Sequence, residues 1–448
     1  MTTAQDWVHL LGKIDFVKIA KFAKRVDLGE LLETLNKLEP SDIQKISASL
    51  KKTQKPKMIP APNGDFYNMQ SFLDTEELSL VTKVREFMLK EVAPIANEYW
   101  AKAEFPMHLI PKFAQLGIGG LVYKGYSCPG KRFVLEGLIV QEIARTDVSI
   151  STFFGVQSGL AMGSIYVCGS EEQKQKYLPK MQNFEIIGAF GLTEPEVGSA
   201  VAGGLTTTCK REGDTWTLNG QKKWIGNATF SDITIIWARD VDTDQVKGFI
   251  VKKDNPGFKA EKIEHKISLR IVQNALITLT NCKVKEEDRL QNANSFKNTA
   301  EVLRMTRAGV AWQAVGCARG AYENALSYAQ KRKQFGRAIT GFQLIQDLFS
   351  HMLAKLTAMQ TMVMRLSEIQ DEGKLLDEHA SLAKVFCTVG CREITSLARE
   401  SVGGNGILME ENVARFIADA EALYSYEGTK QINSLIVGRA ITGLSAFI

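Results

Sequence analysis

"TWTLNGQKKWIGN", residues 215–227, breaks the rhythm of the chain. Polar and apolar residues alternate through it, and a period of two is the mark of a half-buried strand. Asn219-Gly220 at its centre is the strongest short-range hairpin signal, so the stretch predicts two strands joined there. "DITIIWARD" (232–240), "VKGFIVKKD" (246–254) and "NALITLTNCKV" (274–284) read as further strands. A β-domain is therefore expected from 191 to about 290.

The period is different on either side. Asp74 and Glu77 form a capping box for a helix carrying Leu78, Val81, Val84, Phe87 and Met88. Helical patterns continue to about residue 185 and return at about 298. Ile345, Phe349, Met352, Leu356, Met359, Val363 and Leu366 then mark one long helix face. The order helices–strands–helices lacks βαβ alternation, which argues against a Rossmann fold. The fold class is α+β, mainly α, with a C-terminal bundle. The expected division is a helical extension and linker (1–62), a helical domain (63–189), a middle β-domain (190–295) and a helical bundle (296–448). Residues 1 to about 55 read as helical, ended by Pro40 and restarted by a Ser41/Gln44 box, with a proline- and lysine-rich linker over 51–63. Glu30 and Glu33 dilute the basic face, which favours a helical hairpin packed on a subunit over a membrane-surface helix.

Composition narrows the function classes. A chain of 448 residues, 45% hydrophobic and 23% charged, is an ordinary globular protein too long for a single core. A net charge of +5 is too small and too dispersed for a nucleic-acid partner. No run approaches the roughly 20 apolar residues of a membrane span, so no integral membrane segment is expected. The seven cysteines form no C-x-x-C pair and the five histidines are isolated, so no metal site is expected. Free thiols suit a soluble intracellular protein, cytoplasmic or organellar. The N-terminus shows neither a secretory signal nor an arginine-rich transit peptide, and Ala446-Phe447-Ile448 is not a peroxisomal tripeptide.

Three stretches stand out as possible chemistry. "FGLTEPEVGSAVAGG" (190–204) offers small and hydroxyl residues at the helix-to-strand switch, either as a ligand-facing backbone or as a junction turn. "KRKQFGRAITGFQLIQ" (331–346) sets Arg332 before a helix start, as a phosphate partner or a solvated helix end. "ESVGGNGIL" (400–408) has paired glycines, for close approach to an anion or as a helix C-cap. A fourth feature is Glu427, a lone carboxylate in the apolar stretch "ALYSYEGTKQINSLIVGRA" (422–440).

As a set, "LTEPEVGS", "NGQKKWIGN", "RKQFG", "GGNGI" and "YEGTKQI" resemble the motifs of the acyl-CoA dehydrogenase and oxidase superfamily, over about Asp65 to Phe447. "KEVAPIANEYWAKAEFP", "CGSEEQKQKYLP" and "VGRAITG" are most similar to the plant short-chain acyl-CoA oxidase branch, with glutaryl-CoA dehydrogenase next. The resemblance implies an N-terminal helical domain, a central β-barrel and a C-terminal four-helix bundle, assembled as a homotetramer or homodimer. It implies FAD between barrel and bundle, an acyl-CoA substrate, and O2 or electron-transfer flavoprotein as acceptor. It places Phe190, Leu192, Thr193, Ser199, Trp224, Ile225, Gly226, Arg332, Gln343 and Thr429 at FAD, with Glu400, Gly403 and Gly404 reaching FAD from another subunit. It places Ser151, Ser199, Arg307 and Gly428 at substrate, and makes Glu427 the catalytic base. The implied reaction converts a short- or medium-chain acyl-CoA to trans-2-enoyl-CoA, as in fatty acid β-oxidation.

Three departures qualify the resemblance. Gly226 stands where most dehydrogenases carry Thr or Ser, a change shared with the plant oxidase. Ala200 replaces the usual Asp after Gly-Ser. Ser151 replaces the arginine with which glutaryl-CoA dehydrogenase meets a distal carboxylate, so no glutaryl-CoA decarboxylation is expected. Phe153 and Phe154 are expected to limit acyl length. The alternative reading is a catalytically silent scaffold that binds a partner through residues 1–60.

Overall fold

Asp74 opens the first helix as the sequence predicts: its side chain accepts from the Glu77 N–H while Glu77 accepts from the Asp74 N–H. The computed structural model describes residues 64–446, with Ser41 before them. The helical reading of residues 1–55, the Ser41/Gln44 box, the 51–63 linker and Phe447 otherwise lie outside the described residues.

The N-terminal helices are α1 (Thr75–Phe87), α2 (Ala93–Lys102), α3 (Ile110–Ala114), α4 (Phe133–Thr146), α5 (Val148–Phe154), α6 (Met162–Cys168) and α7 (Glu171–Gln182); a short pair, β1 (Lys124–Gly125) and β2 (Cys128–Pro129), lies between α3 and α4. A π-helical segment, Gly155–Ala161, joins α5 to α6. The resulting run Val148–Cys168 is long and apolar enough to cross a membrane by composition, contrary to the sequence reading, but 83% of its 18-residue apolar window is buried within the protein.

The middle strands are β3 (Gly188–Gly191), β4 (Thr208–Glu212), β5 (Thr215–Ile225), β6 (Ile233–Asp240), β7 (Val246–Lys252), β8 (Phe258–Lys262) and β9 (Ala275–Lys285), with a short helix α8 (Val201–Gly204) after β3. Among the described residues these seven form one sheet in the order β3-β6-β4-β5-β9-β8, with β7 also on β6. One expectation is corrected here. Asn219-Gly220 makes no hairpin: β5 runs straight through it as a single strand. The turn lies at Gly213-Asp214, where Glu212 pairs with Thr215. Asn219-Gly220 is instead an irregularity in the β5–β9 register. Gly220 has φ +143°, and a Cβ there would lie 2.7 Å from the Thr207 Cα. A local turn preference of at most about 1 kcal/mol loses to pairing on both edges of β5.

The C-terminal part holds α9 (Phe296–Lys331), the short pair β10 (Lys333–Gln334) and β11 (Arg337–Ala338), α10 (Gln343–Asp371), α11 (Asp377–Val402), α12 (Val413–Ser425) and α13 (Lys430–Thr442). The predicted face Phe349, Met352, Leu356, Met359, Val363 and Leu366 of α10 is buried. A single apolar cluster runs from Val84 and Leu138 through Trp312 to Met359, Ile394 and Phe416, so α1, α4, α9, α10, α11 and α12 share one core.

A buried charge cluster crosses the same interface. Glu142 of α4 accepts from Arg85 of α1 (2.9 and 3.0 Å), Arg145 of α4 (3.3 Å) and Arg319 of α9 (3.1 Å). Glu323 of α9 accepts from Arg145 (2.5 Å) and Arg319 (2.9 Å). Burial alone would raise the Glu142 carboxyl, yet Arg319, Arg85 and Arg145 hold it down at about 2.

Candidate active site

The turn between α12 and α13 carries Glu427. Tyr426 ends α12 in an extended conformation, Glu427 and Gly428 follow with φ +55° and +82°, and Thr429 caps α13 by accepting from the Ile432 N–H. Two successive left-handed residues break the helix here, and Glu427 bears that strain without being glycine. The positive φ of Gly428 suits glycine, and a Cβ there would also press on the Asn433 Nδ2 at 3.0 Å.

Glu427 is half-buried and lines a cleft of about 1490 Å3. Thr306 of α9 donates a hydrogen bond to its Oε2 at 3.2 Å. Loss of hydration raises its carboxyl above the ordinary range, opposed by the positive charge of Arg307, the Thr306 bond and the charge of Lys384. Behind it, the Tyr426 hydroxyl donates to Gln313 Oε1 at 2.5 Å, and Gln313 Nε2 donates to the Ser151 carbonyl at 3.0 Å.

The opposite walls come from the sheet and its loops. Phe190, Leu192, Thr193, Ser199, Trp224, Ile225 and Gly226 line the same cleft as Glu427, Gly428, Thr429 and Arg307. Trp224 is left-handed (φ +68°) and 53% exposed, an indole held open on the wall. Asn274 Nδ2 donates to its carbonyl at 3.2 Å, and Lys266 Nζ reaches Asn274 Oδ1 at 2.6 Å. The 192–207 loop is anchored by Glu194, which accepts from Thr206 and Thr207 and from the buried ammonium of Lys222 at 2.8 Å. A Cβ on the buried Gly226 would meet Val156 Cγ2 at 3.2 Å.

Not every expected residue converges. Ser151 is fully buried with its Oγ unpartnered and lies outside the cleft lining, because its helix turn presents Thr152 and Phe154 instead. Ser151 is expected at substrate; in this structure its carbonyl meets the lining residues Gln313 and Gly155 while its side chain points elsewhere than the lining. Phe154 lines the cleft, whereas Phe153 is packed against Phe105 (4.7 Å between ring centres) and does not. Arg332, Gln343, Glu400, Gly403 and Gly404 are exposed and lie outside this cleft within one chain. Arg332 instead borders a separate 440 Å3 hollow with Asn324, Tyr328 and Lys331. Ala200 sits at the N-cap of α8, whose Gly203 and Gly204 N–H groups bond to the Ala200 carbonyl rather than to a side-chain acid.

Other lining residues were not legible in the sequence. Gly155, Val156, Ser158 and Gly159 come from the π-helical segment, whose widened turn no periodicity marks. Thr306 stands beside Arg307 in "RMTRAGVAW", but nothing local singles out one threonine. His265 and Lys266 lie in an irregular loop between β8 and β9.

That loop is tied down by an acid. Asp419 of α12, 1% exposed, accepts from the Leu269 N–H at 2.7 Å and from the Trp100 indole at 3.4 Å. Burial, and then the charge of Asp147, push it up to about 7. Its folded value lies above its unfolded one of roughly 3.9. The folded state thus keeps a proton that the unfolded state loses, and this stabilisation is present below about pH 4 and lost as pH rises towards 7. Asp419→Asn is expected to flatten the fall in melting temperature between pH 4 and 7; a variant curve parallel to wild type would refute this.

The comparisons with known proteins fit this geometry. Family models for the acyl-CoA dehydrogenase N-terminal, middle and C-terminal domains match residues 74–185, 189–282 and 296–442. The chain belongs to the acyl-CoA dehydrogenase family. It is an oxidoreductase of that family, with the helical, sheet and helical parts in the expected order. It is 34% identical over 373 residues to the caffeyl-CoA reductase-Etf complex subunit CarC of Acetobacterium woodii, covering 81% of this chain and 97% of that one. It is 31% identical over 358 residues to the mitochondrial short-chain specific acyl-CoA dehydrogenase of Mus musculus, covering 79% and 87%. A crystal structure of a glutaryl-CoA dehydrogenase from Mycobacterium smegmatis in complex with FADH2 superposes with a TM-score of 0.83 at 33% identity, covering 86% and 99%.

Proposed function

We propose that this chain catalyses the FAD-dependent α,β-dehydrogenation of a short- or medium-chain acyl-CoA to the trans-2-enoyl-CoA. The observation that carries the reading is that one cleft joins a poorly hydrated carboxylate, Glu427, to the open face of Trp224. The cleft fits the cofactor: an aromatic wall left uncovered, a side-chain-free position at Gly226 and hydroxyls at Thr193 and Thr429 suit a flat polar ring system. FAD, when bound, supplies the hydride acceptor for the β-carbon.

The chain supplies the rest. Glu427 in its ionised form takes the α-proton, and its raised pKa makes it a stronger base than an exposed carboxylate. Thr306 orients the carboxylate through its 3.2 Å bond. Gly428 gives the thioester room beside the base. Arg307, with its Nε unpartnered among the described residues, is placed to meet the CoA portion. Phe154 bounds the acyl end and sets the chain-length limit. Substrate packed against these walls excludes water, which strengthens each electrostatic interaction.

A second copy of the chain is proposed to complete the FAD site, in a homotetramer or homodimer. Phe335 (92% exposed) and Leu344 (81%) stand beside Arg332 and Gln343, and such apolar residues suit a subunit contact. Arg332→Ala is expected to reduce flavin retained on purification at least several-fold; unchanged flavin-to-protein absorbance would remove Arg332 from the site.

Two acceptors remain to be distinguished. Gly226 and the resemblance to the plant oxidase support O2, and the likeness to a subunit of an Etf complex supports electron-transfer flavoprotein. Peroxide formed during butyryl- or hexanoyl-CoA turnover identifies the oxidase; flavin reduction without peroxide identifies the dehydrogenase. Anaerobic titration with a panel of acyl-CoAs tests the function itself. Bleaching of the flavin by short or medium chains is expected. A purified protein that takes up no FAD, or a flavin no acyl-CoA bleaches, would overturn the reading in favour of a silent scaffold.

A further inference from the structure

Lys384 is a fully buried ammonium on α11, and no carboxylate among the described residues forms an ion pair with it. Its Nζ donates to the Gly428 carbonyl at 2.6 Å and to the Tyr424 carbonyl at 3.2 Å. These two carbonyls bracket Tyr426 and Glu427. Asn433, also fully buried, shares the Gly428 carbonyl, donating to it at 2.9 Å and to the Thr429 carbonyl at 3.0 Å. The left-handed pair Glu427-Gly428 is thus held by two buried donors, and the strain at Glu427 persists because its neighbours are held.

A buried cation without a paired anion is costly. Burial pulls the Lys384 ammonium down to about 8, with Glu427 opposing that fall and Arg307 adding to it. Of the charged groups on the elements packed against α11, Arg307 on α9 and Glu427 after α12 are the two whose charge acts on Lys384, while Asp419 and Arg415 on α12 bond to the Leu269 N–H and to Asp147. Lys355 pairs with Glu393 and Glu421 with Arg392. Arg307 and Lys384 are the two cations that favour ionised Glu427.

We propose that Lys384 is a positioning residue for the proposed reaction: by clasping the carbonyls on either side of Glu427 it aims that carboxylate and holds an ammonium charge beneath its turn. The inference rests on Glu427 being the base. The test compares Lys384→Met, Lys384→Gln and Lys384→Arg as flavin-loaded proteins, with Glu427→Gln alongside. Lys384→Met is expected to lower kcat at neutral pH at least 10-fold with flavin content retained and the acyl-CoA KM changed less than about 3-fold. The acid limb of its kcat/KM profile should move to higher pH by half a unit or more, so that part of the loss is recovered in alkali. Lys384→Arg, which keeps charge and donors, should restore the limb and most of kcat. Should Lys384→Met fail to fold, Lys384→Gln, neutral but able to donate, must show the shifted limb. Wild-type kcat and profile in the neutral variants, with Glu427→Gln inactive, would overturn the role of Lys384 alone. Activity retained in Glu427→Gln would overturn the functional reading beneath it.

Discussion

Glu427→Gln is expected to lower turnover roughly 10^4-fold, the upper end for losing a general base, while the protein stays folded and yellow. The amide preserves the shape of the side chain and can still accept the Thr306 hydrogen bond, so the left-handed turn and the clasp on Gly428 survive. What disappears is the only group on this turn able to take a proton at neutral pH. The variant should bind acyl-CoA with near wild-type affinity, because the cleft walls and Arg307 are untouched. Rapid mixing with butyryl-CoA should therefore show a binding perturbation of the flavin spectrum without bleaching. Bleaching at more than about one per cent of the wild-type rate would place the base elsewhere.

Glu142→Gln is expected to destabilise the protein by about 3–5 kcal/mol, the range for breaking a buried charge cluster by removing one partner. Glu142 is the hub at which guanidiniums from α1, α4 and α9 converge, and its side chain is fully buried. An amide can accept from one or two of them but cannot balance their charge, even with Glu323 still paired to Arg145 and Arg319. Because the cluster joins the N-terminal helices to the bundle, the loss should appear as a lower urea midpoint, read with flavin present. An unfolding free energy within about 0.5 kcal/mol of wild type would show that the apolar core alone carries this interface. None of its residues lines the cleft that holds Glu427, so kcat of the folded fraction should be little changed.

Elements were legible wherever burial imposed a period on the residues. The face Phe349 to Leu366 of α10 predicts its helix because every third or fourth residue must be apolar to reach one core. Strands β6, β7 and β9 fall within one or two residues of their predicted spans for the same reason at period two. Asn219-Gly220 misled because a turn propensity is local, and long-range pairing of β5 with β4 and β9 overrode it. The run Val148–Cys168 could not be classed by hydropathy, since a core helix and a membrane helix share a composition.

The sequence by itself determined the order of helices and strands, the capping of α1 and, through the motif set, a family and a short list of candidate residues around Glu427. Only the tertiary structure decided which of those residues share one cleft. It drew in Thr306, Trp224 and Arg307, set Ser151 behind the wall, and left Arg332, Gln343, Glu400, Gly403 and Gly404 on an outer face. It also brought Lys384, 43 residues earlier in the chain, beneath the Glu427 turn. The reason is physical. Periodicity records which face of an element is buried, whereas a side chain's partners depend on how separate elements cross, and no local pattern carries that.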